Sequence, residues 1–212
     1  MSPVSVIEKF LLKECAVRES DLSFDSCIVC ASSFVWRITN LFPESYIVAN
    51  GAAQLFPNLA TVLYAVKELK VPLIAIVGST DVPVESFVEM GSQSAEVEFK
   101  LLKKCYEENG ELLLTMYESK DLFNSALMEL NIDQQIDKLL SLSDFSSLIE
   151  KNQLAVCGLM FDELKIYGDI PGFYLTNLNG LKDPEEIRSS PILAKIPESV
   201  KKRKVKRIHL QF

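Results

Sequence analysis

The chain has 212 residues, of which 48% are hydrophobic and 24% are charged, which indicates a folded protein with one sizeable core. Its net charge of −7 includes a strongly basic segment, KKRKVKR at 201–207, so the rest is more acidic still, which argues against a general nucleic-acid surface. No apolar run approaches the ~20 residues that cross a bilayer, and the first residues lack the pattern of a signal peptide.

The cysteines indicate a reducing environment. Their number is odd, and their spacing does not suggest a disulfide framework, so we expect a reduced, cytoplasmic protein. They are Cys15, Cys27, Cys30, Cys105 and Cys157.

The first half of the chain alternates short apolar runs with helical patterns. An amphipathic helical arm is predicted at about 4–17, and strands are predicted at 25–32, 45–50 and 71–78. A helix over 58–70, with Asn58 as its cap, joins the last two strands. Strand, helix and strand at this spacing form a right-handed crossover, which predicts a parallel sheet.

The second half is mostly helical. Helical patterns cover 94–110, 121–142 and 143–152, and Gly110 is the expected stop of the first. Further strands are predicted at 153–163 and 172–178. No linker or repeat separates these elements. The sequence therefore predicts a single α/β domain over 1–212, with a central, mostly parallel β-sheet of four to five strands flanked by helices.

The basic C-terminal segment has two interpretations. Ile208, Leu210 and Phe212 alternate with polar residues, which predicts an edge strand or a solvated tail at about 200–212, with lysines that protect the edge. The alternative is a surface that attracts nucleic acid or an anionic membrane. We favour the strand or tail, and do not expect a nucleic-acid partner.

Six strings, in order, resemble the β-class carbonic anhydrase family. They are CASSF at 30–34, VANGAA at 48–53, TVLYAVKELKV at 61–71, VGSTDV at 77–82, ELNIDQQIDKLL at 129–140 and QLAVCGLMFD at 153–162. The first and fourth correspond to the family strings Cys-x-Asp-x-Arg and Gly-His-[Ser/Thr]-x-Cys. The resemblance implies the family's α/β fold, a homodimer in which the N-terminal helix reaches the partner, and a zinc ion held by two cysteines and one histidine.

The positions that correspond to the family's catalytic residues carry other side chains here. Cys30 matches one zinc ligand, but Ser32 stands at the aspartate position and Phe34 at the arginine position. Ser79 stands at the histidine position and Val82 at the second cysteine position. A catalytic zinc site needs about three protein ligands, and serine hydroxyls are poor ligands for zinc. Because zinc is what acidifies the attacking water, we predict neither a zinc cofactor nor CO₂ hydration.

A residual pocket is predicted where the first and third strands end. Its candidate residues are Cys30, Ser32, Phe34, Asn50, Ser79, Thr80, Asp81 and Val82. If a helix begins at Pro83, its free N–H groups favour a small anion in this pocket. The alternative is that Ser79 or Asp81 only caps that helix.

The favoured hypothesis is a pseudoenzyme, retained as a dimeric binding, regulatory or structural protein. A second hypothesis is an enzyme of metal-independent chemistry in the same crevice, which requires Phe34 and Val82 to leave the pocket open. Its candidate groups are Cys30, Ser32, Ser79 and Asp81. A third is a carbonic anhydrase whose zinc site is rebuilt from other residues. Its candidate ligands are Cys30, Cys157 and His209.

Overall fold

The computed structural model describes residues 23–90 and 92–208, in which five strands form one sheet. The strands are β1 (Ser26–Ala31), β2 (Ser45–Asn50), β3 (Leu73–Ser79), β4 (Ala155–Asp162) and β5 (Gly172–Leu178). Their order is β2-β1-β3-β4-β5, with parallel pairing except for the antiparallel pair of β4 and β5. The predicted α/β fold and mostly parallel sheet are thus confirmed. The predicted arm at 4–17 and His209 lie outside the described residues.

Helices cover both faces of the sheet. They are α1 (Val35–Leu41), α2 (Leu59–Lys67), α3 (Val84–Val88), α4 (Gln93–Glu98), α5 (Lys100–Met116), α6 (Lys120–Leu140), α7 (Ser143–Glu150), α8 (Pro184–Ser189) and α9 (Glu198–Lys204). The longest of them, α6, packs on β3 and β4 along one face, and α1 and α8 cover the other. Among the described residues, no helix has the length and hydrophobicity of a membrane-spanning segment.

The strands contribute alternate side chains to two apolar layers, as the two-residue period of a strand requires. Cys27 belongs to the layer beneath α6, here called the α6 layer, together with Ile76 and Met160. Cys30 belongs to the layer beneath α1, here called the α1 layer, together with Val77. The two cysteines of the Cys-x-x-Cys string therefore face opposite sides of the sheet.

The predicted stop at Gly110 is wrong, because α5 continues through this residue to Met116. The helical pattern is instead interrupted at Phe99, where α4 ends and α5 begins. Gly110 lies inside the helix, and a Cβ added there would meet the Tyr106 ring at 3.4–3.5 Å, an ordinary contact. Asn58 also differs from its prediction, since its side chain makes no capping hydrogen bond to α2.

A Gly110→Ala substitution tests this arrangement. Glycine loses more conformational entropy than alanine when it is fixed in a helix. We therefore expect the free energy of unfolding in urea to be about 0.5–1 kcal/mol higher for the variant. A loss of stability would contradict the continuous helix, since a true left-handed stop would be strained by alanine.

The C-terminal edge strand is also corrected, because residues 200–204 belong to helix α9. Glu198 in its first turn and four basic residues in its last turn complement the helix dipole, which favours the helix. The strand is limited to a single parallel bridge between Val205 and Leu175, and residues 209–212 lie outside the described part. The chain then turns inward, and Arg207 forms ion pairs with the buried Glu129 and Asp133 of α6.

Candidate functional site

The carboxyl ends of β1, β3 and β4 lie side by side at one edge of the sheet. Cys30 pairs with Val77 across β1 and β3, and Ser79 pairs with Phe161 across β3 and β4. In an open α/β sheet, this edge is the usual location of a binding site. The residues that follow these strands are therefore the candidates for function.

The end of β1 is apolar apart from an exposed serine. Cys30 is fully buried in the α1 layer, and burial raises the pKa of its thiol to about 11, so the thiol stays protonated at neutral pH. Phe34 is also buried, with its ring 4.8 Å from that of Phe161, which lies 5.0 Å from that of Phe173. Ser32 is exposed. These aromatic rings belong to the same apolar cluster as the Cys30 side chain.

The polar residues at the end of β3 and just after it form hydrogen bonds within the protein. The buried Ser79 hydroxyl donates a hydrogen bond to Asp81. The Thr80 hydroxyl oxygen accepts hydrogen bonds from the backbone N–H groups of Glu163 (3.0 Å) and Leu164 (3.1 Å). Val82 is buried in the α6 layer. This turn therefore holds the loop that follows β4 against the end of β3.

Helix α3 is not capped by the residues proposed for this role. Its N-cap position is Pro83, and neither Ser79 nor Asp81 makes a capping hydrogen bond, so the capping interpretation is wrong. The backbone N–H of Glu85 donates to the side-chain oxygen of Asn124 on α6 at 3.0 Å. The helix has five residues, and part of its N-terminal hydrogen-bonding capacity is used by α6.

The side chain of Asn50, at the end of β2, forms hydrogen bonds within the loop that follows this strand. Its side-chain oxygen accepts from the Gln54 N–H at 2.7 Å, and its amide nitrogen donates to the Gln54 carbonyl at 2.5 Å. These two bonds close a turn in which Ala53 has a φ of 53°. The side chain is thus engaged in local structure.

Three charged residues at this edge were not among the predicted site residues. Asp162 is fully buried, and its carboxylate accepts from the backbone N–H groups of Ile166, Tyr167 and Gly168 at 2.7–3.2 Å. Arg37 forms a bidentate ion pair with Glu163, with its guanidinium carbon 5.2 Å from the centre of the Phe161 ring. Asp162 is the last residue of the family-like string at 153–162. The sequence does not predict its hydrogen bonds, because they depend on the conformation of the loop that follows β4.

A family model described as carbonic anhydrase matches residues 27–165, which is more than half of the chain. The chain belongs to the β-class carbonic anhydrase family. Solved structures of low sequence identity agree on the fold, while no curated protein sequence matches significantly. Residues outside 27–165 include β5, α8 and α9, which complete the sheet and its second face in this family member.

Three β-carbonic anhydrase structures illustrate the similarity. One of two tetrameric enzymes from Sordaria macrospora has a TM-score of 0.58 at 19% identity, over 66% of this chain and 76% of that one. CafA of Aspergillus fumigatus has a TM-score of 0.57 at 20% identity, over 66% and 71% of the two chains. CafD of the same fungus has a TM-score of 0.57 at 18% identity, over 76% and 93%.

The side chains at this edge do not fit the zinc ion that the family implies. Cys30 supplies one sulfur, from the α1 layer, whereas Val82 is apolar and lies in the α6 layer on the other face of the sheet. Ser79 is bonded to Asp81. Among the described residues, no cluster of three or more His, Cys, Asp or Glu side chains is placed to hold a metal ion. The donor set of this carbonic anhydrase family member therefore differs from a catalytic zinc site.

Proposed function

We propose that this β-carbonic-anhydrase-family protein binds no catalytic zinc, does not hydrate CO₂, and serves as a dimeric binding, regulatory or structural protein. Four of the five family motif positions compared carry Ser32, Phe34, Ser79 and Val82, which cannot together supply a zinc site. That the residual pocket binds a small anion remains a prediction from the sequence.

The observation that carries the proposal is the burial of Phe34 and Val82. Phe34 is 4% exposed and Val82 is 2% exposed, and they pack in different apolar layers. Residues at the positions of the ion-pairing arginine and the second thiolate therefore contribute to the core. Replacing polar groups by packed apolar ones is favourable for folding but removes the groups that bind and activate water.

The same burial counts against a metal-independent enzyme. That hypothesis required an open polar crevice, whereas Phe34 and Val82 are packed and the Cys30 thiol is held protonated. The buried Ser79 and Thr80 hydroxyls are bonded to neighbouring groups. A rebuilt zinc site from Cys30, Cys157 and His209 depends on a residue outside the described part, and stays a question for metal analysis.

The test is elemental analysis of tag-free protein, run beside a stopped-flow CO₂ hydration assay. We expect much less than one zinc per chain and no rate above that of the buffer. CafD of Aspergillus fumigatus, purified in the same way, controls for loss of metal during preparation. About one zinc per chain, with hydration that a Cys30→Ser substitution removes, would overturn the proposal and support a rebuilt site.

A dimer and a cytoplasmic location are the remaining parts of the proposal. The Sordaria macrospora enzymes are described as tetrameric, which supports self-association of this chain. Light scattering coupled to size exclusion is expected to give twice the 23.8 kDa mass of one chain, and a monomer would contradict this part. The odd number of cysteines supports a reducing compartment.

A further inference from the structure

The structure gives the cations of the basic segment at 201–207 three different surroundings, and the first is solvent, to which Lys202 is exposed. Lys201 and Arg207 bind the protein: Lys201 pairs with Glu198 at 3.0 Å, and Arg207 pairs with Glu129 and Asp133. Arg203, Lys204 and Lys206 instead line one cavity of about 400 Å³ between α9 and the loop that precedes β5. This cavity is called the basic cavity below.

The three cations of the basic cavity outnumber the acidic side chains near them, which are Asp169 in the lining and Asp162, whose charge acts on Lys204. None of them forms an ion pair there with a described carboxylate, although Asp169 also lines the cavity. Burial lowers the pKa of Lys204, the neighbouring charges of Arg203 and Lys206 lower it further, and the charge of Asp162 raises it. An excess of positive charge around a small space favours an anion between the cations.

Aromatic packing holds the lysines in place. The Lys204 ammonium lies 4.4 Å from the centre of the Tyr174 ring, which stacks on Tyr167 at 5.3 Å. Lys206 donates to the Tyr167 carbonyl oxygen at 2.9 Å. Gly172 has a φ of 153°, and a Cβ there would lie 2.9 Å from the Lys204 nitrogen. The two lysines are therefore held beside the cavity, and Arg203 reaches it from an exposed position on α9.

We infer that the basic cavity is a binding site for a small, multiply charged phosphate-bearing molecule. An arginine guanidinium matches phosphate geometry with two parallel hydrogen bonds, and lysines add point charges. A volume of about 400 Å³ is within the usual range of small-ligand pockets. The cations converge on a concave space, and the net charge of the chain is −7, so a discrete small ligand is favoured over an extended polyanion or a membrane surface.

Calorimetric titration of the full chain with inorganic pyrophosphate tests this inference. We expect saturable binding that weakens about tenfold in an Arg203→Ala variant, because the guanidinium fork is lost. Lys202→Ala is the matched control, since Lys202 is an exposed cation on the same helix outside the cavity. Its affinity for pyrophosphate should equal that of the wild-type chain. Sodium chloride at matched ionic strength corrects for general screening.

Three outcomes would overturn the inference. The first is no saturable pyrophosphate binding by the wild-type chain. The second is an equal loss of affinity in the Arg203→Ala and Lys202→Ala variants, which would indicate general charge attraction. The third is binding to phosphatidylserine-containing vesicles without binding to pyrophosphate, which would assign the segment to a membrane surface. Circular dichroism of both variants establishes that they are folded.

Discussion

An Arg207→Ala variant is expected to unfold with a free energy about 3–5 kcal/mol lower than the wild-type chain, because it leaves two buried carboxylates unpaired. Arg207 lies 2.7 Å from Glu129 and 2.6 Å from Asp133, and it also donates to the Thr176 carbonyl oxygen at 3.1 Å. The Glu129 and Asp133 side chains are 2% and 5% exposed. Both carboxylates are therefore largely shielded from solvent in the folded chain.

The surroundings of Glu129 limit this loss at low pH. Burial raises the pKa of Glu129 to about 7, although Arg207 and the hydroxyl of Tyr167 act to lower it. Without Arg207 the pKa rises further, so the carboxyl group takes up a proton near neutral pH. A protonated carboxyl is cheaper to bury, and the difference between variant and wild type should grow from pH 6 to pH 8.

Urea unfolding followed by circular dichroism at pH 6 and pH 8 measures the loss of unfolding free energy and its change with pH. Lys202→Ala serves as the control, because Lys202 is exposed and forms no ion pair within the described residues. Its stability is expected to lie within about 0.5 kcal/mol of the wild type. Equal stabilities for Arg207→Ala and the wild-type chain would show that the C-terminal segment does not dock on α6.

An Asp162→Ala variant is expected to lose about 3 kcal/mol or more, because three backbone N–H groups lose their acceptor. The carboxylate accepts from Ile166 at 2.8 Å, Tyr167 at 2.7 Å and Gly168 at 3.2 Å. Each buried donor left without a partner costs about 1–3 kcal/mol. The same loop carries Glu163, so the Arg37 ion pair should also weaken.

Asp169→Ala is the matched control for this prediction. Asp169 is an exposed carboxylate near the same loop, and its removal should change the stability by no more than about 0.5 kcal/mol. Thermal and urea unfolding of both variants measure the difference. Similar, small losses in the two variants would mean that Asp162 does not organise the loop after β4.

Strand positions followed from local pattern alone. The run SCIVCA is composed of small and β-branched residues, and it forms a strand that is buried on both faces. The string SYIVAN became β2 with the predicted bounds. The predicted stop at Gly110 is wrong because a glycine is compatible with both a helix stop and a helix interior, and the choice depends on packing.

The sequence indicates which strand ends the candidate residues occupy, but it does not predict the contacts between distant residues there. Cys30 and Ser79 lie near the carboxyl ends of β1 and β3, and Phe34 and Val82 follow shortly after, because each stands beside an apolar run that predicts a strand. Arg37 and Glu163 are 126 residues apart in the chain, and no local pattern predicts that they meet. Their ion pair depends on the order of the strands and on the shape of the loop after β4.

By itself, the sequence determined the class of fold and the family, because strand and helix periodicities and motif strings are local properties. The tertiary structure decided how the basic segment at 201–207 is used. The sequence pattern does not distinguish the lysines and arginines of this segment from one another. In the folded chain, however, Arg207 forms ion pairs with two buried carboxylates, whereas Arg203 lines a cavity. Burial and the positions of distant partners set the energy of a charge, and only the folded chain provides them.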